Sequence, residues 1–187
     1  RWAPNVAGGH GLPLFNYYAP LLYYLIDLLK LTGCGYVCAA QIVVAFSIVS
    51  AAIGCGFIIW NLFGPLSALI SSIYFLYSPY ILKGSYLRAH WQELLGISFG
   101  MWAVGLIVRF MHNSSFSCFL GAAFAAAFMI LSDTTLLIVF IPVILVLGLS
   151  HGVGELAKFS KRIISIAVIL TMALGLTAFF WVPSVFE

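Results

Sequence analysis

The apolar run from Tyr36 to Ile59 is the feature that most constrains what this chain can fold into. It contains no Asp, Glu, Lys or Arg, and about 20 apolar residues are enough for a helix to cross the ~30 Å hydrocarbon core of a bilayer. Only 7% of the 187 residues are charged, whereas roughly a quarter of an ordinary soluble domain is charged. Because so few charges cannot cover a water-exposed surface, the sequence predicts an integral membrane protein.

The pattern inside the apolar runs indicates helices rather than a barrel. Backbone amides in lipid must be paired internally, which helices and closed barrels achieve. Barrel strands alternate apolar and polar residues, but the apolar runs of this chain are continuous. We therefore expect an all-α fold, a polytopic membrane helix bundle formed as one domain over residues 1–187. Since the chain begins with Arg1 and ends just after an apolar run, we expect it to be an excerpt of a longer protein.

Residues 36–187 are predicted to hold about six membrane helices, two of them short. The run Phe116–Leu149 would be about 51 Å long as one helix, which is too long for a single crossing. Ser132 and Asp133 interrupt it and favour a helix start, so we divide the run there into two short helices. The other predicted spans are Tyr36–Ile59, Leu66–Leu82, Leu94–Val108 and Ile163–Val182. The segments predicted to connect them are a turn at Trp60–Pro65 and polar loops at Lys83–Glu93, Arg109–Ser115 and His151–Arg162.

Residues 1–35 are predicted to form an outward loop followed by an interfacial helix. Arg1–Tyr18 combines glycine and proline, which favour turns, with aromatic rings of the kind that settle at a membrane interface. Pro20 suits the first turn of a helix, and we expect that helix to end near Leu31. At about 18 Å it is too short to cross a bilayer.

The distribution of loops predicts an orientation. If the Pro20 helix does not cross, four segments share one side: Arg1–Tyr18, Lys83–Glu93, Ser132–Thr135 and Pro183–Glu187. The opposite side carries the basic cluster of Lys158, Lys161 and Arg162, which the positive-inside rule places in the cytoplasm. We therefore expect the first set to face outward from the cytoplasmic membrane.

Other features exclude several classes of site. The four cysteines match no zinc-binding spacing and are interpreted as structural. Gly96-x-x-x-Gly100 is interpreted as ordinary close helix packing. No basic run is dense enough to predict nucleic-acid binding. The sequence indicates no cofactor, leaves a divalent metal ion open and assigns no metal ligand.

The candidate site residues lie in the predicted outward set. They are Glu93 and Asp133 as catalytic carboxylates, and Arg1, His10, Arg88 and His90 as substrate-binding residues. Arg88 has the fork of donors that holds phosphate oxygens. Two alternatives stay open: Arg88 and Glu93 form a surface ion pair, and Asp133 merely caps the helix that follows it.

Segments along nearly the whole chain resemble one family of polytopic membrane proteins. The segments are Arg1-Trp2-x-Pro4-Asn5, Gly9-x-Gly11-x-Pro13-Leu14-Phe15-Asn16-Tyr17-Tyr18-x-Pro20-Leu21, Ser78-Pro79-Tyr80, Tyr86-Leu87-Arg88-Ala89 with Glu93, and Phe179-Phe180-Trp181-Val182-Pro183. That family is labelled 6-pyruvoyl-tetrahydropterin-synthase-related, although nothing in these residues indicates pterin chemistry. It is similar to the C-type glycosyltransferases.

The resemblance implies a glycosyltransferase that moves a sugar from a polyprenyl-phosphate carrier to an acceptor on the outer face of the membrane. Its partners would be membrane lipid, the lipid-linked donor and an acceptor that the sequence does not identify. The main catalytic acid of such an enzyme would precede Arg1. The alternative is a non-catalytic transporter or assembly scaffold. A transporter would place polar groups near the bilayer midplane, whereas the predicted spans are nearly free of charge.

Overall fold

The computed structural model of the chain describes residues 2–3, 12–13, 18–86, 89–150 and 156–186. Side chains are described for 18–86, 89–147 and 160–183. Apart from one antiparallel pair of two-residue strands, in which Trp2 pairs with Pro13, the described elements are helices. This strand pair lies within the segment 1–18, which the sequence predicted to be loop throughout.

The elements follow one another with short connections. In chain order they are β1 (Trp2–Ala3), β2 (Leu12–Pro13), α1 (Leu21–Lys30), α2 (Tyr36–Phe63), α3 (Pro65–Leu76), α4 (Pro79–Tyr86), α5 (Trp91–Asn113), α6 (Phe116–Ser132), α7 (Leu136–Ser150), α8 (Leu156–Leu176) and α9 (Ala178–Phe186). A short helix is present after Pro20 as predicted, and it is α1; its position at a membrane interface stays a prediction. Its ten residues span about 15 Å.

Helix α5 is the centre of the bundle, and glycines bring its neighbours close. Gly105 lies against Phe57 of α2, and Gly100 lies under the ring of Phe140 of α7. The interpretation of Gly96 and Gly100 as packing residues is confirmed, because the two glycines receive Leu136 and Phe140 from the same face of α7. Close helix approach of this kind needs residues without bulky side chains.

The predicted break at Asp133 is confirmed, and it divides the long apolar run into two antiparallel helices. Helix α6 ends at Ser132 and α7 begins at Leu136. Phe128 packs on Phe99, and Phe119 packs on Phe110, so α6 runs opposite to α5. Helix α7 then returns alongside α5 in the same direction. Asp133 therefore lies at the end of the bundle where α5 begins.

Contacts also gather the predicted outward segments at this end. The Cβ positions of Ser132 and Asp133 lie 3.5 Å from the position that a Cβ on Gly96 would occupy. Ala19, Leu131 and Phe180 form one buried cluster. The start of α1, the start of α5, the α6–α7 turn and α9 therefore lie near one another at this end of the bundle, and the side of a membrane that they face stays a prediction.

Several predicted boundaries are wrong. Trp60–Phe63 continues α2 rather than turning, since nothing before Gly64 interrupts the helix. Lys83–Tyr86 belongs to α4 and Trp91–Glu93 to α5, so Ala89 and His90 are the non-helical residues among those described in the predicted polar loop. The predicted span Leu66–Leu82 is α3 and α4, bent by 40°. The span Leu94–Val108 extends to Trp91–Asn113, which removes part of the predicted Arg109–Ser115 loop. Residues Leu156–Arg162 are the start of α8, and the last span is interrupted at Thr177.

Two of the described helices, α2 and α5, are long and apolar enough to cross a membrane, and a third span is present if the bent pair of α3 and α4 is one broken span. Helices α6 and α7 are apolar but shorter. Large apolar side chains are widely exposed, among them Val37, Leu66 and Ile138 at 72–75%. Exposed apolar surface on this scale is typical of a surface that faces lipid or a partner. These features are consistent with a membrane protein, and the described residues give two or three candidate spans where four long and two short membrane helices were predicted.

The turn between α2 and α3 gives a first prediction. Gly64 has φ 93° and ψ −179°, a region that is essentially restricted to glycine. Nothing lies within 4 Å of the position where a Cβ would be, so the effect of Gly64→Ala comes from the backbone alone. We expect a loss of about 1–3 kcal/mol in the free energy of unfolding, measured by denaturant titration in detergent micelles. Gly35→Ala is the matched control, because its site is equally open but has φ −68°, and an equal loss there would contradict the account.

Candidate functional site

The predicted site residues that the structure describes lie together where α5 begins and α6 ends. Asp133 lies in the three-residue turn between α6 and α7. Its Oδ1 accepts the backbone N–H of Thr135 at 2.9 Å, which is the capping role proposed for it from the sequence. Asp133 also lines two cavities at this end. The capping role and the cavity position are therefore combined in one residue.

Glu93 lies in the first turn of α5 and has a partner at each carboxylate oxygen. The hydroxyl of Tyr80, from α4, donates to Oε1. Nδ1 of His90 lies 3.4 Å from Oε2. The Glu93 side chain is 21% exposed and that of His90 is 60% exposed. The bend between α3 and α4 thus brings Tyr80 into contact with Glu93. The sequence had placed Glu93 in a polar loop exposed to solvent.

A residue with a left-handed backbone conformation, Ala89, precedes the start of α5. Ala89 has φ 51°, which costs a residue with a Cβ roughly 1–2 kcal/mol. The next residue, His90, donates its backbone N–H to the carbonyl oxygen of Gly84 at 3.2 Å. The α4–α5 turn is thereby closed, with His90 directed to the same side as Glu93. Strain of this kind is concentrated at functional sites in proteins.

Two cavities flank these side chains. The first, the α7 cavity, has a volume of about 530 Å³. Its apolar wall consists of Phe75, Ile81, Ile97, Met101, Leu136, Val139 and Phe140. The second, the α1 cavity, has a volume of about 480 Å³ and is lined by Tyr18, Leu22, Tyr23, Ile26, Ala89, Trp91 and Gln92. His90, Glu93 and Asp133 line both cavities and form the wall between them.

The structure brings together three of the six candidate residues, namely Glu93, Asp133 and His90. Arg1, His10 and Arg88 lie outside the described residues, so their predicted roles in substrate binding stay predictions. Sequence reasoning did not assign Tyr80 to the site, although it lies in the Ser78-Pro79-Tyr80 segment. The contact depends on the bend that carries Tyr80 to Glu93, which sequence spacing does not reveal. Among the described residues, no group of three His, Cys, Asp or Glu side chains is arranged to hold a metal ion.

Comparisons with known protein families, with curated proteins and with solved structures give no match to this chain.

Proposed function

We propose that this chain is part of a multi-pass glycosyltransferase of the cytoplasmic membrane. It transfers a sugar from a polyprenyl-phosphate carrier to an acceptor at the outer face. The sequence resemblance supports this class of reaction. The positive-inside rule supports an outward position for the end of the bundle where Glu93 lies.

The α7 cavity is the observation that carries the proposal. It joins an apolar wall to the carboxylates of Glu93 and Asp133, and a polyprenyl-phosphate sugar is likewise an apolar chain joined to a polar head. Sites for small molecules generally combine an apolar lining with a few convergent polar groups. Val139 at the wall is 58% exposed, so a chain dissolved in lipid can enter the cavity from the side.

The proposed reaction needs one proton acceptor and no redox partner. An acceptor hydroxyl oxygen attacks the anomeric carbon of the donor sugar, and its proton passes to a carboxylate. The bond from that carbon to the phosphate oxygen breaks, and polyprenyl phosphate leaves with the electron pair. Glu93 serves as proton acceptor because it lies where the two cavities meet, and Tyr80 holds its Oε1 in place.

The alternative of a transporter or scaffold has less support among the described residues. Asp27, Glu93 and Asp133 are the acidic residues described, and the last two lie at one end of the bundle. Between α2 and α5 the polar groups are neutral: Ser98 donates to Ser50 at 2.8 Å, and the Trp102 indole donates to Ser50 at 3.0 Å. These groups are bonded to one another, whereas a transport site presents polar groups to its cargo.

Carrier binding tests the proposal. The full chain in nanodiscs is expected to bind a fluorescent polyprenyl phosphate. Val139→Trp should weaken binding about tenfold, because the added ring occupies the apolar wall. Ile138→Trp is the matched control, since Ile138 is 75% exposed and does not line the cavity. If both variants bound polyprenyl phosphate as tightly as the unmodified chain, the α7 cavity would not be the carrier site.

Tyr80→Phe is a second prediction that follows from the proposal. It removes the hydroxyl that donates to Glu93 and keeps the ring. Because a hydrogen bond to a charged group contributes about 1.5–3 kcal/mol, we expect kcat for sugar transfer to fall at least tenfold with KM nearly unchanged. Tyr77→Phe, at a 74% exposed tyrosine of the same bend, should leave both constants unchanged. A rise in KM without a fall in kcat would assign Tyr80 to substrate binding instead.

A further inference from the structure

The α1 cavity differs in chemistry from the α7 cavity, although the two share a wall. Beyond the shared His90, Glu93 and Asp133, its lining includes three aromatic side chains that carry a polar tip: Tyr18, Tyr23 and Trp91. Gln92 adds an amide, and it also donates to the carbonyl oxygen of Ala19 at 3.4 Å. The α7 cavity also has Ser78, Tyr80 and Thr135 in its lining, but the rest of its wall consists of aliphatic side chains, Met101 and two phenylalanines.

This combination of side chains suits a sugar ring. A pyranose has an apolar face of C–H groups, which packs against aromatic rings, and an edge of hydroxyls, which bonds to carboxylates and amides. Aromatic side chains offer a large apolar surface with a polar tip, and planar carboxylates accept several hydrogen bonds. Tyr18 is 47% exposed, so it is accessible to a ligand that enters from solvent.

We infer that the α1 cavity binds a carbohydrate ring, and that this ring is the acceptor of the proposed transfer. The second half of the inference rests on the proposed function; the first half does not. Glu93 lines both cavities. A hydroxyl of a sugar in the α1 cavity would therefore give its proton to Glu93 while its oxygen attacks the donor held in the α7 cavity. The products would be a glycosidic bond and free polyprenyl phosphate.

Binding of free monosaccharides tests the inference without any transfer step. The probes are glucose, galactose, mannose and N-acetylglucosamine, added to the full chain in nanodiscs prepared without sugar-based detergent. Saturation-transfer NMR from protein to sugar protons is the measurement. We expect at least one of the four to bind, and Tyr18→Ala to weaken its binding about three- to tenfold through loss of the aromatic contact.

Two further variants locate the binding site. Tyr18→Phe keeps the ring and should bind within about twofold of the unmodified chain, given that the contact is with the aromatic face. Val139→Trp fills the other cavity and should leave sugar binding unchanged. Binding of none of the four sugars would overturn the inference. It would also be overturned if Tyr18→Ala bound normally while Val139→Trp lost binding.

The outcomes separate this inference from the proposed function. Sugar binding that depends on Tyr18, together with failure to bind polyprenyl phosphate, would keep the carbohydrate cavity and reject the glycosyltransferase. Carrier binding that depends on Val139, together with failure to bind any of the four sugars, would support the carrier site of the proposed function and reject the carbohydrate cavity.

Discussion

Glu93→Gln is expected to lower sugar transfer by roughly a hundred- to ten-thousandfold, the range over which a positioned general base contributes to catalysis. The amide keeps the size of the side chain and its acceptor oxygen for Tyr80 but cannot take a proton. Binding of the carrier should change little, because the apolar wall of the α7 cavity is untouched. The measurement is the rate of transfer from a labelled polyprenyl-phosphate sugar in proteoliposomes, with kcat and KM determined separately.

Asp27→Asn is the matched control for this prediction. Asp27 is a carboxylate on α1 that lines a different groove and neither of the two cavities at Glu93. Transfer by this variant should stay within about twofold of the unmodified chain, as for surface substitutions away from a site. If Glu93→Gln retained full activity, another group would be the base and the assignment of Glu93 would be wrong.

Gly100→Leu is expected to have the largest effect on stability. A Cβ at Gly100 would lie 2.5 Å from Cζ of Phe140, whose side chain is only 5% exposed within the main core. The leucine must push α7 away from α5, and overpacking of a core costs about 1–3 kcal/mol, occasionally more. We expect a loss of about 3 kcal/mol in the free energy of unfolding, measured by SDS titration in mixed micelles.

Sugar transfer by Gly100→Leu should fall together with its stability. Displacement of α7 would move Leu136 and Phe140, which line the α7 cavity, and would also disturb Asp133 in the turn before α7. Gly175→Leu on α8 is the control, since Gly175 has nothing within 4 Å of its Cβ position. It should be neutral, or should stabilise by up to about 1 kcal/mol from the better helix propensity of leucine. Equal stability of the two variants would show that α5 and α7 do not pack closely through Gly100.

The sequence alone predicted the features that depend on long apolar runs and on polar residues that interrupt such runs. The uncharged run after Tyr36 is helix α2, and the length argument placed the break at Asp133 correctly. The same break predicted that the α6–α7 turn lies at the end of the bundle where α5 begins, because two antiparallel helices replace one long helix there.

The predictions failed where tertiary contacts extend or bend a helix. Charge and aromatic content made Lys83–Glu93 resemble a loop. Seven of its residues are nevertheless helical, because α4 packs on α5 through Ile81 and Leu94. The contact of Tyr80 with Glu93 depends on that packing and on the bend at Tyr77 and Ser78. Sequence spacing carries no signal for such a contact, so Tyr80 joined the candidate site only once the structure was known.

The most direct test of the account is release of sugar from the carrier. Proteoliposomes that contain the full chain would receive a labelled polyprenyl-phosphate sugar, and a parallel sample would receive the matching nucleotide sugar. Because water can replace the acceptor hydroxyl, the account predicts free or transferred labelled sugar from the lipid-linked donor, loss of that product in Glu93→Gln, and none from the nucleotide sugar. Movement of the intact lipid-linked sugar across the bilayer without cleavage would contradict the account and would favour the transporter.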